Sequence, residues 1–162
     1  MSNLEYHSDP VNKIMEPSRS PFDILNTAFM DSGICLKVEN NKEIHEPILM
    51  MFINSGNDRL MTAPRFHIKL GRSSSLELFE HHVGYQIGNF SNTSIFISLQ
   101  ENSFFKHTRL QMDSGCAINT GNIHAEQEDN SKYNLSHFGL GSTLGSLNLS
   151  LIHISEPTRR SM

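Results

Sequence analysis

Two five-residue segments, FHIKL at residues 66–70 and IFISL at residues 95–99, decide the fold. In each segment the apolar residues occupy alternate positions, which is the pattern of a β-strand with one buried face. The same alternation occurs in ICLKV at residues 34–38. Each segment is followed by a short polar turn and then by a second predicted strand: residues 44–53, 76–83 and 104–112. The sequence therefore repeats a unit of strand, four-residue turn and strand.

The length of the repeat indicates the architecture. Val38 and Leu70 are 32 residues apart, Leu70 and Leu99 are 29 apart, and Leu99 and Glu126 are about 27 apart. A fixed interval of this order is typical of a solenoid, whereas an immunoglobulin-like sandwich would show turns every 8–12 residues or so without this long repeat. The strict six-residue period of left-handed hexapeptide helices is absent. We predict an all-β, right-handed parallel β-helix over residues 33–148.

A short helix is predicted before the β-helix, within an otherwise irregular segment at residues 1–32. Ser20 is suited to cap the helix, Pro21 to its first position, and Asp23 to the positive end of the helix dipole. A further helical turn is expected near residues 11–15. Apolar residues recur at helical spacing until a DSG sequence that ends the helix: Phe22, Leu25, Ala28, Phe29 and then residues 31–33.

Composition excludes several classes of protein. The chain has 162 residues, 37% of them hydrophobic and 19% charged, which suits one domain. Its formal net charge of −4 argues against a nucleic-acid partner. We expect no membrane span and no secretion signal, because no apolar stretch is long enough for either. The predicted location is therefore the cytoplasm.

The histidines and cysteines are not predicted to form a metal or catalytic site. Adjacent strand residues point to opposite faces, so His81 and His82 cannot easily share a metal ion, and at least one of them should face solvent. His107 and His124 lie in successive coils and could stack, but we interpret both as ordinary surface histidines.

The two cysteines are far apart in the sequence, which argues against a zinc site of cysteine pairs or a disulfide framework. Cys116 is interpreted as a small buried residue. Cys35 alternates onto the face opposite Ile34, at the surface or in a flanking contact. No catalytic, cofactor-binding or metal-binding residue is assigned.

Some β-helix proteins are enzymes that cleave polysaccharides with a pair of carboxylates, so the acidic residues are candidates for such a pair. Glu77 and Glu80 should point to opposite faces of their strand, whereas glycoside hydrolysis needs two carboxylates held about 5–10 Å apart. Glu126, Glu128 and Asp129 are expected to form a solvated turn. The chain has no Trp and three Tyr, and it lacks the G-x-x-x-x-G-K-[ST] sequence of a P-loop.

The C-terminal segment at residues 149–162 is expected to be artefactual. Its first eleven residues, LSLIHISEPTR, continue no repeat well and resemble the translation of a transposase adapter used in preparing sequencing libraries. On this interpretation the natural chain continues beyond Asn148 and its last natural coil lacks a cap, so the fragment should self-associate or express poorly. The alternative is a natural polar tail.

The PFDILNTAF sequence at residues 21–29 and the DSG at residues 31–33, with further stretches up to residue 148, resemble the SufD family, a scaffold subunit of the SUF iron–sulfur cluster assembly system. The LNTAF sequence at residues 25–29 and the DSG that follows are the most specific parts of the resemblance. Further matching stretches are EPI at 46–48, PR at 64–65, LG at 70–71, HTRLQ at 107–111, NSKY at 130–133 and FGLG at 138–141.

The resemblance implies a scaffold rather than an enzyme. It implies a SufB-like partner bound through the β-helix, and a SufC-like ATPase bound through a C-terminal helical region that lies beyond this sequence. It also implies an iron–sulfur cluster on the full complex, with no cofactor bound by this fragment. A plastid location would follow if the source were photosynthetic. The alternatives are a carbohydrate-active β-helix enzyme, or a structural solenoid with an unknown partner.

Overall fold

The computed structural model describes residues 20–30, 32–54, 60–84, 88–113 and 117–154. These residues form one short helix and ten strands. In chain order they are α1 (Pro21–Phe29), β1 (Gly33–Val38), β2 (Ile48–Asn54), β3 (Met61–Thr62), β4 (Arg65–Leu70), β5 (Ser75–Gly84), β6 (Phe90–Leu99), β7 (Phe104–Asp113), β8 (Ile118–Gln127), β9 (Lys132–Leu140) and β10 (Leu144–His153).

The strands form two parallel sheets. The first sheet has the order β1-β4-β6-β8-β10, with the short β3 also paired to β6, and the second has the order β2-β5-β7-β9. From β4 onward the chain alternates between the two sheets, so each coil stacks on the one before it. The prediction of an all-β parallel solenoid after a short N-terminal helix is confirmed. Its right-handed winding follows the usual hand of crossovers between parallel strands and stays a prediction.

The observed register confirms two of the three predicted intervals. Val38 pairs with Leu70, and Leu70 pairs with Leu99. Leu99 pairs with Gln127 rather than Glu126, so the third interval was wrong by one residue. A shift of one residue exchanges the two faces of a strand, so Gln127 is buried and its neighbour Glu126 is partly exposed.

The turns between the two sheets have the same backbone conformation from coil to coil. Each has a residue with a positive φ at the same place: Asn41 at 57°, Ser73 at 52°, Asn102 at 57° and Asn130 at 55°. Asparagine tolerates this left-handed conformation better than most residues do. The backbone N–H of Asn41 donates to the carbonyl of Arg72 in the next coil, at 2.8 Å. The polar turns thus stack as regularly as the strands.

Gly71 allows the first two turns to stack closely. A Cβ atom at this position would lie 2.4 Å from Oδ1 of Asn40 and 2.6 Å from its backbone nitrogen. The same Oδ1 accepts a hydrogen bond from the backbone N–H of Arg72 at 3.0 Å. Any residue with a side chain at position 71 would displace this turn.

Aliphatic and aromatic side chains from both sheets fill one part of the interior. Each buried side chain of this size stabilises the fold by about 1.5–3 kcal/mol relative to an exposed one. The buried members are Val38, Phe66, Ile68, Leu70, Leu76, Leu78, Ile95, Ile97, Leu99, Phe105, Ile123 and Ala125. They extend from β1 to β8, and the partly buried Tyr133, Leu135 and Leu147 of β9 and β10 pack against them.

The helix α1 packs on the outside of the first sheet through its polar side. Its buried residues are Asp23 and Asn26, whereas Ile24 is 61% exposed and Phe29 is 59% exposed. The predicted helix is confirmed, with Pro21 in its first turn. The predicted side-chain cap is wrong, because the Ser20 hydroxyl donates to Oδ1 of Asn122 on β8, at 3.4 Å, and makes no capping bond.

Asn26 explains how a polar helix face can be buried. Its Nδ2 donates to the carbonyls of Asn92 at 2.7 Å and Pro64 at 3.2 Å, and its Oδ1 accepts from Nε of Arg65 at 3.0 Å. Every polar atom of this side chain therefore has a partner on the sheet. The LNTAF sequence, singled out from sequence as the most specific stretch, supplies this contact.

The predicted C-terminal boundary falls inside a strand. Residues 149–153 belong to β10 and pair in parallel with β8, with Leu149 opposite Ile123 and His153 opposite Gln127. They therefore continue the repeat, contrary to expectation, while the origin of residues 149–162 stays a prediction. The predicted turn near residues 11–15 lies outside the described residues. Within the described ranges, no helix is long and apolar enough to cross a membrane.

Candidate functional site: a charged network inside the solenoid

Charged side chains occupy the interior of the second sheet beyond its aliphatic part. Because alternate residues share a face, Glu80 and His82 on β5 point the same way as Leu76 and Leu78. On β7, His107 and Arg109 follow the buried Phe105 in the same phase. Glu80 and His107 are 0% exposed, Arg109 is 1% exposed and His82 is 3% exposed.

Glu80 is the centre of this network. Its Oε2 lies 2.8 Å from Nε2 of His107, and its Oε1 lies 3.0 Å from Nη1 of Arg109. Nε2 of His82 also contacts Oε1. Glu80 and Arg109 are direct register partners on neighbouring coils, so the stacking of the strands itself brings the two charges together.

The network extends to a third coil and to the first sheet. The hydroxyl of Tyr133 on β9 lies 3.0 Å from Nδ1 of His107. Nη2 of Arg109 donates to Oδ1 of Asn119 on β8 at 3.4 Å, and Nδ2 of Asn119 donates to Asp113 at 3.0 Å. Side-chain contacts therefore connect three coils and both sheets.

Gly121 on β8 makes room for the buried guanidinium. A Cβ atom there would lie 3.1 Å from both Nη1 and Nη2 of Arg109, and 2.8 Å from Cδ1 of Leu147. A glycine in a strand interior often marks such a close approach. The charged network thus depends on a residue of the opposite sheet.

Glu80 is held in its ionised form. Burial alone would raise its pKa, but the charge of Arg109 and hydrogen bonds from His107 and His82 outweigh burial and hold the pKa well below its usual value. Burial lowers the pKa of His82 despite its contact with Glu80. Burial, and then the charge of Glu80, raises the pKa of Tyr133 above its usual value. The interior therefore holds the carboxylate of Glu80 beside the guanidinium of Arg109.

The guanidinium is not fully satisfied by hydrogen bonds. Nε and Nη1 of Arg109 have no hydrogen-bond partner, since the contact of Nη1 with Glu80 is an ion pair outside hydrogen-bond geometry. Burying a charged group with unmade hydrogen bonds opposes folding. The network is thus less favourable for stability than its list of contacts suggests.

The two carboxylates considered for glycoside hydrolysis point in opposite directions, as predicted. Glu80 faces the interior, and Glu77 lies on the outer face with Oε1 2.7 Å from Nζ of Lys106. The predicted solvated turn of acidic residues is wrong for Glu126, which belongs to β8 and is partly buried, whereas Asp129 lies in the exposed turn. This geometry brings no pair of acids together on one face of β5.

A second cluster lies outside the first sheet, beneath α1. The rings of His67, Phe96 and His124 stack at 5.1 Å intervals between centroids, following the register of β4, β6 and β8. Nε2 of His124 lies 2.9 Å from Oδ2 of Asp23 on the helix. Burial, with the charges of Arg65 and Lys69, lowers the pKa of His67 to about 4. This cluster attaches the helix to the sheet.

The structure corrects the interpretation of several histidines. His107 is buried, not a surface residue, whereas His81 and His82 point to opposite faces as predicted, with His82 buried and His81 half-buried. His107 and His124 cannot stack, because they lie in different sheets. Within the described ranges, no group of three or more His, Cys, Asp and Glu side chains is arranged to hold a metal ion.

Cys35 is partly buried on β1 and is a free thiol. It is the register partner of His67 on the outer face of the first sheet, which agrees with the flanking position expected for it. Cys116 lies outside the described residues. Cys35 does not belong to the charged network.

Sequence reasoning missed the network although a signal was present. On β5, the period-two pattern that places Leu76 and Leu78 inside also places Glu80 and His82 inside. On β7, the same alternation from the buried Phe105 places His107 and Arg109 inside. Two residues of opposite charge at inward positions of neighbouring strands in one sheet predict a buried ion pair.

Comparison with known proteins gives a family match for most of the chain. Residues 51–161 match the family described as SUF system FeS cluster assembly, SufBD core domain. This match contains β3 to β10 and the whole charged network, and it extends into the segment at residues 149–162 that was predicted to be artefactual.

A curated relative points to the same family. The chain is 26% identical over 148 residues to the iron-sulfur cluster assembly SufBD family protein slr0076 of Synechocystis sp. (strain ATCC 27184 / PCC 6803 / Kazusa). The alignment covers 85% of this chain and 33% of the relative, so the chain spans about a third of the length of that protein. No solved structure matches the chain.

Proposed function

The chain belongs to the SufBD core domain family of the SUF system, and from this premise we propose that it is the scaffold part of a SufD-like subunit in iron–sulfur cluster assembly. The family match carries the proposal. The iron–sulfur cluster is cargo that the assembly builds and passes on, rather than a resident cofactor of this chain.

The assignment to SufD rather than SufB rests on the helix α1. Its LNTAF sequence, at residues 25–29, resembles SufD, and Asn26 within it supplies the buried contacts with β4 and β6. A SufB-like paralogue would bind the solenoid, and a SufC-like ATPase would bind outside this chain. The proposed location is the cytoplasm, or a plastid in a photosynthetic eukaryote.

The proposed role is non-catalytic. The charged side chains of the network are directed at one another inside the solenoid, with Glu80 and His107 fully buried. A buried ion pair adds little net stability compared with apolar residues of similar size. We therefore propose that the charges of Glu80 and Arg109 serve the scaffold by fixing how consecutive coils stack, which defines one surface for its partners.

Co-purification tests the scaffold assignment. The full-length protein that contains this chain would be tagged in its source cell and isolated with its bound partners. The proposal expects a SufB-like paralogue and a SufC-like ATPase in stoichiometric amounts, and a loss of iron–sulfur enzyme activities when the protein is depleted. Isolation without either partner, together with unchanged iron–sulfur enzyme activities, would contradict it.

A matched pair of variants tests the role of the helix. Asn26→Ala removes three buried hydrogen bonds between the helix and the sheet, whereas Thr27→Ala removes the one hydroxyl that accepts from Nη2 of Arg65 at 2.7 Å. Partner recovery should fall much more for Asn26→Ala if the docked helix shapes the subunit. Equal recovery with both variants would separate the helix from partner binding.

A further inference from the structure

A small cavity lies where the ends of β2, β5 and β7 meet the starts of β6 and β8, and we call it the corner cavity. Besides two apolar residues, its lining consists of Asn54, Gly84, Asn89, Ser91, Asp113 and Asn119. Its volume of about 10 Å³ is at the lower limit for holding one water molecule. The corner cavity therefore suits a polar occupant of the size of water.

The register of the second sheet creates space beside the carboxylate of Asp113. Asn54 pairs with Gly84, and Gly84 pairs with Asp113, so the three residues form one inward row at the ends of their strands. A Cβ atom at Gly84 would lie 2.9 Å from Oδ1 of Asp113, closer than such atoms normally approach. The glycine in the middle of the row thus leaves room that a side chain would fill.

Asn89 brings a hydrogen-bond donor without a partner to the corner cavity. The residue is 3% exposed, and its Oδ1 accepts from the backbone N–H of Leu60 at 3.1 Å, which fixes the orientation of the amide. Its Nδ2 has no hydrogen-bond partner among the residues that the structure describes. Because a buried donor without a partner opposes folding, the cavity should hold a hydrogen-bond acceptor.

Asp113 restricts the chemistry of this acceptor. Oδ2 of Asp113 accepts from Nδ2 of Asn119 at 3.0 Å, and a carboxylate can accept about four hydrogen bonds in all. A metal ion cannot accept the hydrogen bond that Asn89 offers, and an anion would be repelled by the carboxylate of Asp113. The occupant must therefore accept from Asn89 and donate to Asp113, as a water molecule does.

We propose that the corner cavity binds one ordered water molecule, which accepts from Nδ2 of Asn89 and donates to the carboxylate of Asp113. Buried waters typically make about three hydrogen bonds, and the hydroxyl of Ser91 in the same lining is the third partner. Since Asn119 contacts both Asp113 and Arg109, the water extends the charged network to the segment that precedes β6. This inference does not depend on the proposed function.

A crystal structure of the 162-residue chain, at a resolution that reveals ordered waters, tests the proposal. A water should lie about 2.7–3.2 Å from both Nδ2 of Asn89 and a carboxylate oxygen of Asp113. In solution, the side-chain amide protons of Asn89 should show a rotating-frame Overhauser effect to this water. A corner cavity that is dry, or that holds a metal ion, an anion or another part of the chain, would overturn the proposal.

Two glycine variants in the second sheet show whether the water occupies this cavity. The methyl group of Gly84→Ala takes the space beside Asp113, so the Overhauser effect at Asn89 should be lost. A Cβ atom at Gly139 on β9 would meet only Cε1 of His137, at 3.9 Å, so Gly139→Ala should keep the effect.

Circular dichroism must show the same β-structure in both variants and the original chain. An Overhauser effect that persists in folded Gly84→Ala would overturn the proposal, because the water would then lie elsewhere. Its loss in folded Gly139→Ala would do the same. The crystal structure of the original chain decides the question even if Gly84→Ala does not fold.

Discussion

The interior of the solenoid has an aliphatic part and a charged part, and the two are stabilised in different ways. In one part, side chains such as Ile95, Ile97 and Leu99 stack coil upon coil and need no partner beyond close packing. In the other, Glu80 and Arg109 occupy equivalent inward positions and depend on each other. Small changes in the aliphatic part should lower the free energy of unfolding only modestly, whereas removing one member of the charged pair should lower it strongly.

Removing one charge should have the largest effect on stability. Arg109→Met leaves the buried Glu80 without its opposite charge, so the free energy of unfolding should fall by about 3–5 kcal/mol. Lys106→Met, which removes the partner of the partly exposed Glu77 on the same two strands, should cost no more than about 1 kcal/mol. Urea unfolding followed by circular dichroism measures both. Equal losses of unfolding free energy in the two variants would show that the buried ion pair contributes no more to stability than the partly exposed one.

Acid should destabilise the chain through residues whose pKa values are lowered in the folded state. His67 has a folded pKa of about 4 against an ordinary value of 6.5, so the unfolded chain binds the proton first as the pH falls. Its contribution is complete above pH 6.5 and is lost towards pH 4. Below the ordinary pKa of 4.5, protonation of Glu80 removes a further contribution as the pH falls towards its lower folded value.

A pair of variants isolates the contribution of His67. In His67→Phe the free energy of unfolding should depend less on pH between 6.5 and 4 than it does in the original chain. Ile95→Val serves as the control, because it should lower stability by the same amount at every pH. Urea unfolding at several pH values gives the slopes. An unchanged slope in His67→Phe would contradict this explanation.

The aliphatic part should respond weakly to the loss of one methylene group. Ile95 is 0% exposed, and Ile95→Val should cost about 0.5–1.5 kcal/mol through lost contacts and a small cavity. Thermal unfolding at neutral pH measures this loss. A cost as large as that of Arg109→Met would remove the distinction between the two parts of the interior.

The smallest expected effect lies in the turns. Ser73 has a positive φ of 52° where the equivalent positions of the other coils hold Asn41, Asn102 and Asn130. Ser73→Asn should stabilise the chain by up to about 0.5 kcal/mol, because asparagine adopts this conformation more readily. A small rise in the unfolding midpoint is the expected result, and a fall would show that other contacts of Ser73 dominate.

The fold could be predicted from sequence because its signals are local and repeated. Alternation around Leu70 and Leu99 defined the strands, and their spacing gave the register. The third interval was wrong by one residue because Glu126 and Gln127 are both polar, so hydrophobicity could not distinguish the inward residue. Side-chain contacts such as that of Ser20 with Asn122 join residues far apart in sequence, and no local pattern predicts them.

The charged network could have been located in part. The inward phase of Glu80 and Arg109 follows from alternation, and the parallel register places them side by side. The approach of Gly121 to the guanidinium, and the contact of Tyr133 with His107, depend on how the coils stack in three dimensions. The direction in which Glu80 titrates depends on the same arrangement, since burial and the charge of Arg109 act in opposite directions.

We propose that the charges of Glu80 and Arg109 serve the scaffold in iron–sulfur cluster assembly rather than its stability. Glu80→Gln combined with Arg109→Met removes both charges and keeps an amide beside His82 and His107. The most direct measurement is the activity of an iron–sulfur enzyme in cells that depend on the full-length protein carrying this double variant. We expect this activity to fall at least tenfold, while the variant accumulates normally and its free energy of unfolding stays within about 2 kcal/mol of that of the original chain. Full enzyme activity with the stably folded double variant would contradict the claim.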